Sequence, residues 1–251
     1  METFGCIRSR QSDRVPLQRG GSWSADSVQI LISARLALDA HGVADANLIL
    51  VEDAAKTIKL AELQERAWKR ATGRWRQYWE TRRWMRFNEE ELRRHGDGEL
   101  IEHFRLAGWK KTLARIGMRT PLAPLAISMG LDRFFLTKQR TTQTTTGAFL
   151  IAVLEDSAGH IESDEHYRRR MLTGAGAALQ ALWLAATSRG ASLQFQSSML
   201  LEKFAKEQIH KMIDIPDSHQ LLLVIRLGYP DRDPQYVRIR RDPRDVIRHT
   251  A

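Results

Sequence analysis

LTGAGAALQALWLAATSRGASLQFQSSMLLEKFAKEQIHKMIDIPDSHQLLLVIRLGYPDRDPQYVRIRRDPRDVI, residues Leu172 to Ile247, is the stretch from which the fold is read. Its first part, Gly174 to Ser188, is rich in small residues. Ala178, Leu182 and Ala185 recur at helical spacing, with Leu179 and Trp183 beside them, so a helix is expected. Gly190 stands where a helix-ending glycine belongs. A short polar stretch, Ser192 to Ser198, leads to another helix. Leu221 to Leu227 is then almost continuously apolar, the pattern of a strand buried on both faces. Gly228-Tyr229-Pro230 turns that strand into a basic tail.

Working outward, Gly147 to Leu154 (GAFLIAVL) is a second buried strand and Asn47 to Glu52 (NLILVE) a third. Ala25 to Ala40 is helix-like, with Val28, Leu31, Ile32, Arg35 and Leu36 forming its expected amphipathic stripe. The 251 residues are 43% hydrophobic, enough for a core of ordinary size. The lone Cys6 excludes an internal disulfide framework and any multi-cysteine metal site. HIESDEH, from His160 to His166, does not put its two histidines on one helical face, so an exposed helix start is expected and no metal. Nothing approaches the ~20 apolar residues of a membrane span, and no signal-peptide pattern opens the chain. The chain is expected to be cytoplasmic. A net charge of +9 admits nucleic acid, an anionic surface or an anionic ligand. No zinc-finger spacing, RNP-like strand or GXXG loop accompanies it, which makes a nucleic-acid partner the weaker reading.

Two basic sets suit a small anion. Near the N-terminus, IRSRQSDRV (Ile7 to Val15) spaces Arg10, Ser12 and Arg14 at alternate positions. Guanidinium groups with a hydroxyl between them match a phosphate through forked, charge-assisted hydrogen bonds. In the tail, VRIRRD (Val237 to Asp242) puts Arg238 and Arg240 on one face if that segment is extended.

Taken in order, Ala178-Leu179-Gln180, Ile215-Pro216, Gly228-Tyr229-Pro230 and Asp245-Val246-Ile247 resemble the C-terminal half of the FMN-dependent nitroreductase superfamily. Arg10, Ser12 and Arg14 match that family's N-terminal R-x-S-x-R/K phosphate motif, and Arg238 and Arg240 its second basic pair. The resemblance implies an α+β fold, a mixed and mostly antiparallel sheet flanked by helices, in a single domain over residues 1–251. It implies bound FMN, a homodimer with the 174–188 helix at the interface, and hydride transfer through the flavin, either NAD(P)H-dependent reduction of a small-molecule substrate or oxidation of a biosynthetic intermediate. The family's flavin-edge loop falls on Gln194 to Ser198, where Gln196 and Ser197 would bring backbone to the ring. No catalytic acid is assigned. The family's P-S-x-x-N-x-Q-P-W-like stretch is replaced here by LDAHGVADAN, which marks a divergent member. A catalytically inactive flavin- or anion-binding protein on the same fold is therefore the alternative.

Between the outer parts, Asp53 to about Arg94 reads as one long helix or two joined ones. Trp68, Trp75 and Trp79 fall on one narrow stripe, interleaved with arginines and interrupted by Gly73. This helical, Trp- and Arg-rich region, about residues 57–118, reads either as a lid with Trp75 and Trp79 over a flat ligand or as a packed surface. A further short helix over Glu99 to Arg115, a loop over Thr120 to Pro124 and a strand over Leu125 to Met129 are expected beyond the turn at residues 95–98.

Overall fold

The computed structural model describes residues 17–20, 23–40, 46–83, 85–86, 88–96, 99–100, positions 112, 116, 120, 123, 125 and 129, and residues 146–156 and 158–231. The chain divides into two compact units: Met1–Trp68 with Thr141–Pro234, and Lys69–Arg140 with Gln235–Ala251.

The first unit is built on an antiparallel sheet. β1 (Leu17–Gln18) is followed by helix α1 (Trp23–Ala40), β2 (Ala46–Val51) and helix α2 (Ala54–Gly73). Later come β5 (Ala148–Glu155), α5 (His160–Ser163), α6 (Glu165–Ser188), β6 (Ser192–Phe195), α7 (Ser197–Leu201), α8 (Lys203–Ile213) and β7 (His219–Pro230). The strand order is β1-β7-β5-β2, with β6 also paired to β7. Both apolar runs are interior strands, which is why they lack polar alternation: seven of the eight residues of β5 are buried. Leu227 pairs with Ala148 of β5 and with Leu193 of β6, so those two strands occupy opposite edges of β7. One extra residue, Leu222, bulges from β7 between the partners of Ala152 and Val153.

Alternation along β5 divides the core between the two sheet faces. Ala148, Leu150, Ala152 and Leu154 meet α1 (Ile30, Ala34, Leu38) and α6 (Met171, Ala178, Leu182). Phe149, Ile151 and Val153 meet α2 (Leu60, Leu63, Ala67) and α8 (Ala205, Ile209). The fold is therefore α+β, an antiparallel sheet between helical layers.

Helix α1 departs from the expected stripe. Its core face is Trp23, Ile30, Ala34 and Leu38, whereas Val28, Ile32 and Leu36 are exposed. Apolar and polar residues are mixed around this helix, so it carries no clear periodic signal, and the sheet decides which side is covered.

Helix α6 begins nine residues before the expected Gly174. Asp164 caps it, accepting hydrogen bonds from the backbone N–H of His166 at 2.8 Å and of Tyr167 at 3.1 Å. Arg168, Arg169 and Arg170 thus lie within the helix. At the other end Gly190 has φ of 70°, and the Ala191 N–H reaches back to the Ala186 carbonyl at 2.9 Å, closing the helix as expected. The backbone hydrogen bond from Tyr167 is the main cause holding the Asp164 carboxyl below its ordinary range. A lowered folded-state pKa means the cap stabilises fully above the ordinary aspartate range and is lost as pH falls through the folded value. Asp164→Ala is expected to lower the melting temperature at neutral pH, and the gap to wild type should close in acid. A gap that stays constant with pH would show that the carboxylate is not the capping group.

The second unit holds helix α3 (Trp75–Arg82), β3 (Met85–Arg86), α4 (Glu89–His95) and β4 (Glu99–Leu100). The expected long helix from Asp53 to Arg94 is broken twice. Gly73 ends α2, and the Arg74 N–H reaches only the Ala71 carbonyl, at 3.4 Å, a tightened last turn. Helix α4 starts afresh with Asn88 accepting from the Glu91 N–H at 2.7 Å, and closes on Gly96 at φ of 64°. The helix expected from Glu99 instead opens as β4, parallel to β3, although Thr112 and Ile116 further on are helical. The strand expected at Leu125–Met129 and the loop expected before it are also corrected. Ala123 and Leu125 are helical positions, and the Met129 N–H donates to the Leu125 carbonyl at 2.9 Å.

Candidate functional site

The polar stretch Ser192 to Ser198, with the loop expected at Gln194 to Ser198, is a strand followed by a helix start. Leu193 and Phe195 face the α1/α6 core, and Gln194 faces the other side. The Gln196 N–H donates to the Val224 carbonyl at 2.8 Å, so the turn between β6 and α7 hangs from β7. That commits the Gln196 amide inward, and its side chain, 1% exposed, follows, its Nε2 reaching the Gln194 carbonyl at 3.3 Å. Ser197 is exposed and opens α7. Its N–H belongs to the first turn, where no carbonyl of the same helix can accept it. Of the two residues expected at the flavin edge, Ser197 is thus exposed at the helix start and Gln196 is buried.

Beneath the turn the core becomes polar. Ser198 Oγ donates to Gln64 Oε1 of α2 at 2.8 Å, and both side chains are buried. Glu202 and Arg226 are each 1% exposed. Arg226 pairs in register with Gln194 on one side and Phe149 on the other. A guanidinium at an interior strand position is costly to bury. The buried carboxamide oxygens of Gln194 and Gln196 find no hydrogen-bond partner among the described residues. Sequence reading passed over Arg226, although one charge inside LLLVIRLGY was a visible signal.

A second cluster ties the N-terminal strand to one end of the sheet. Leu17 pairs with Pro230 and Gln18 with Tyr229. Arg19 donates through Nε to the Gly147 carbonyl at 2.7 Å, and through Nη2 to the Glu52 carbonyl. Trp23 Nε1 donates to the Glu52 carboxylate, and the Tyr229 hydroxyl to Asp26. Arg189, beyond the end of α6, sits 3.4 Å from the same Asp26 carboxylate.

Arg10, Ser12, Arg14, Arg238 and Arg240 lie outside the described residues. Leu17 and Pro230, the described residues that lead to the two basic sets, are register partners. Trp75 opens α3, and its side chain is likewise outside the described set. Trp79 is half-buried, edge-on to Tyr78 at 5.8 Å and beneath the Arg82 guanidinium at 4.8 Å. The buried aromatic of α3 is Tyr78, whose hydroxyl pKa is raised by burial against the opposing influence of Arg82. The single helix on which the stripe from Trp68 through Trp79 was expected is interrupted, one helix ending at Gly73 and the next opening at Trp75. Among the described residues, no group of three or more histidine, cysteine, aspartate or glutamate side chains is placed to hold a metal, and no helix is long and apolar enough to cross a membrane.

With this geometry in place, the likenesses to known proteins are informative. A family model described as "Nitroreductase family" matches residues 28–229. No curated protein matches the chain. Among solved structures, a nitroreductase-like family protein from Bacillus cereus is 12% identical, with a TM-score of 0.55 over 100% of this chain and 96% of its own. A Parabacteroides distasonis protein named as an NADH dehydrogenase/NAD(P)H nitroreductase is 15% identical, with a TM-score of 0.55 over 99% and 98%. Nitroreductase A from Vibrio parahaemolyticus is 15% identical, with a TM-score of 0.54 over 100% of this chain and 77% of its own. At these identities the structures speak for the fold.

Proposed function

The chain belongs to the nitroreductase family, and from that premise we propose an FMN-dependent oxidoreductase acting on a small molecule, with NAD(P)H as reductant. The observation that carries this reading is the family match over residues 28–229, which takes in β2, β5, β6 and β7 as far as Tyr229, with α6 and the β6–α7 turn. Bound FMN would supply the hydride-carrying ring. The chain's own residues bind and orient it. Arg10, Ser12 and Arg14 fit the phosphate by charge and spacing, and Arg238 and Arg240 add a second cationic pair. The exposed Ser197 fits the ring edge, because its N–H is oriented by a turn hung on β7 and is free of helical demand. Trp75 and Trp79 are assigned to the substrate side as apolar cover that excludes water.

The reading is tested by the absorbance spectrum of the purified protein, before and after incubation with FMN and gel filtration. The visible bands of oxidised flavin, bleached by NADH or NADPH, are expected. A protein that retains no added FMN would overturn the oxidoreductase assignment. A second reading is favoured by the LDAHGVADAN stretch, which stands where the family contacts the ribityl chain: a member that holds flavin without turning over. Bands that NAD(P)H does not bleach would select it, or would select a direction in which flavin oxidises a substrate and passes electrons to oxygen.

We further propose a homodimer. Val28, Ile32 and Leu36 of α1, at 51%, 45% and 63% exposure, form a continuous apolar row four residues apart. Helix α6, packed beside α1, adds Leu172 at 62% exposure. Rows of this kind mark association surfaces. Leu36→Asp is expected to convert a dimer to a monomer in sedimentation velocity. A wild type that sediments as a monomer at high concentration would refute the dimer.

A further inference from the structure

Ten polar or charged side chains are buried among the described residues, and six of them belong to one short segment or to residues joined to it. Gln194, Gln196, Ser198 and Glu202 run from β6 to the start of α8. Gln64 accepts from Ser198, and Arg226 is the register partner of Gln194. So many polar groups inside a core call for a complete account of their hydrogen bonds. Ser198 and Gln64 answer one another at 2.8 Å. Two acceptors have no such answer: the carboxamide oxygens of Gln194, 9% exposed, and Gln196, 1% exposed. Turning the Gln196 amide over does not help. Its Nε2 donates to the Gln194 carbonyl at 3.3 Å, so the reversed amide would set oxygen against oxygen. The Gln196 oxygen is therefore committed to the interior, where an acceptor left without a donor is costly.

The missing partner is constrained by its surroundings. Two acceptor oxygens exclude an anion. Carboxamide oxygens do suit a hard cation. The Arg226 guanidinium, directly across from Gln194 on the same sheet face, repels one. Burial of both glutamines excludes anything large. What remains is a neutral donor of the size of water. We propose that the polar layer under the β6–α7 turn holds a resident internal water that donates to Gln196 Oε1 and Gln194 Oε1. The two residues are spaced by two at the end of a strand, which puts their side chains on one side. Internal waters of this kind make about three hydrogen bonds to groups that otherwise lack them. This one ties the turn to β6 and leaves only when the turn opens. Its residence time therefore measures the opening of the segment that carries Ser197, whatever that segment binds.

The test uses the full chain as wild type, Gln194→Met and Gln196→Met, each variant keeping the side-chain length and losing the acceptor. Magnetic relaxation dispersion of water counts the long-lived internal waters, and a high-resolution crystal structure of the wild type locates them. Each variant is expected to lose one long-lived water. The wild-type crystal is expected to show an ordered water within hydrogen-bond distance of Gln196 Oε1, a result that stands even if a variant does not fold. Urea unfolding of Gln194→Met supplies a sign. An oxygen buried without a donor would be relieved by methionine and the midpoint would rise; an oxygen bonded to water is lost at a cost, and the midpoint is expected to fall. An unchanged water count in both variants, or a raised midpoint, would overturn the site. So would a crystal structure in which the Gln194 amide bonds the Gln196 oxygen directly. Density that gains anomalous scattering on soaking in rubidium would make the occupant a cation, and that too would overturn it.

Discussion

Arg10→Ala combined with Arg238→Ala is expected to strip the protein of flavin. A hydrogen bond to a charged group is worth about 1.5–3 kcal/mol. Each arginine removed should therefore weaken FMN by about 10- to 150-fold. The two sites lie in different parts of the sequence, and the double variant is the stringent case. If both serve one anion their losses will not simply add, because the remaining groups re-share the charge. The measurement is FMN affinity by fluorescence titration, with riboflavin as the control that neither substitution should affect. High salt should narrow the gap between wild type and variants where the arginines are open to solvent. If both single variants keep their flavin content through gel filtration, the phosphate assignment is wrong, whatever the ring does.

The second large effect is expected in the core. Arg226 is 1% exposed on β7, on the sheet face that elsewhere carries Phe149, Ile151 and Val224. Arg226→Ala removes a long side chain from a packed layer and leaves a cavity, and truncating a large buried side chain to alanine costs about 2–5 kcal/mol. The urea midpoint of Arg226→Ala should fall accordingly, with little change in slope. Arg226→Lys should recover only part of the loss, since a point charge does not reproduce a planar fork of donors. Stability within about 1 kcal/mol of wild type would show that the guanidinium lies in a well-hydrated site rather than in the core. Because Arg226 stands opposite Gln194, two residues before the turn, the variant should also loosen the segment that presents Ser197.

The architecture was legible wherever one residue pattern had one physical meaning. GAFLIAVL and LLLVIRL have no polar alternation, and runs of that length and β-branched content suit a strand covered on both faces; both are interior strands. Ala178, Leu182 and Ala185 recur at the helical period and all three reach the core. Gly190 stops α6 because its backbone takes a positive φ that other residues avoid. The family was legible too, because its motifs keep their order along the chain.

Other features were decided in three dimensions. The polar Ser192–Phe195 segment is a strand because β7 offers an open edge beside it; the alternation of Leu193, Gln194 and Phe195 was too short to read alone. Helix α1 carries apolar residues on more than one side, so only its seat on the sheet determined that Ile30, Ala34 and Leu38 go in while Val28, Ile32 and Leu36 stay out. The tryptophan spacing implied one stripe, but it assumed a continuous helix, and the chain ends that helix at Gly73. Arg19 and Arg226 look like any of the chain's many arginines. Their roles come from what the folded sheet places around them, carbonyl oxygens for one and a buried polar layer for the other. Sequence alone determined periodicity, which is local. Tertiary structure decided which faces are covered, which amides are already spent and which charges are buried, because those depend on neighbours that come from distant parts of the chain.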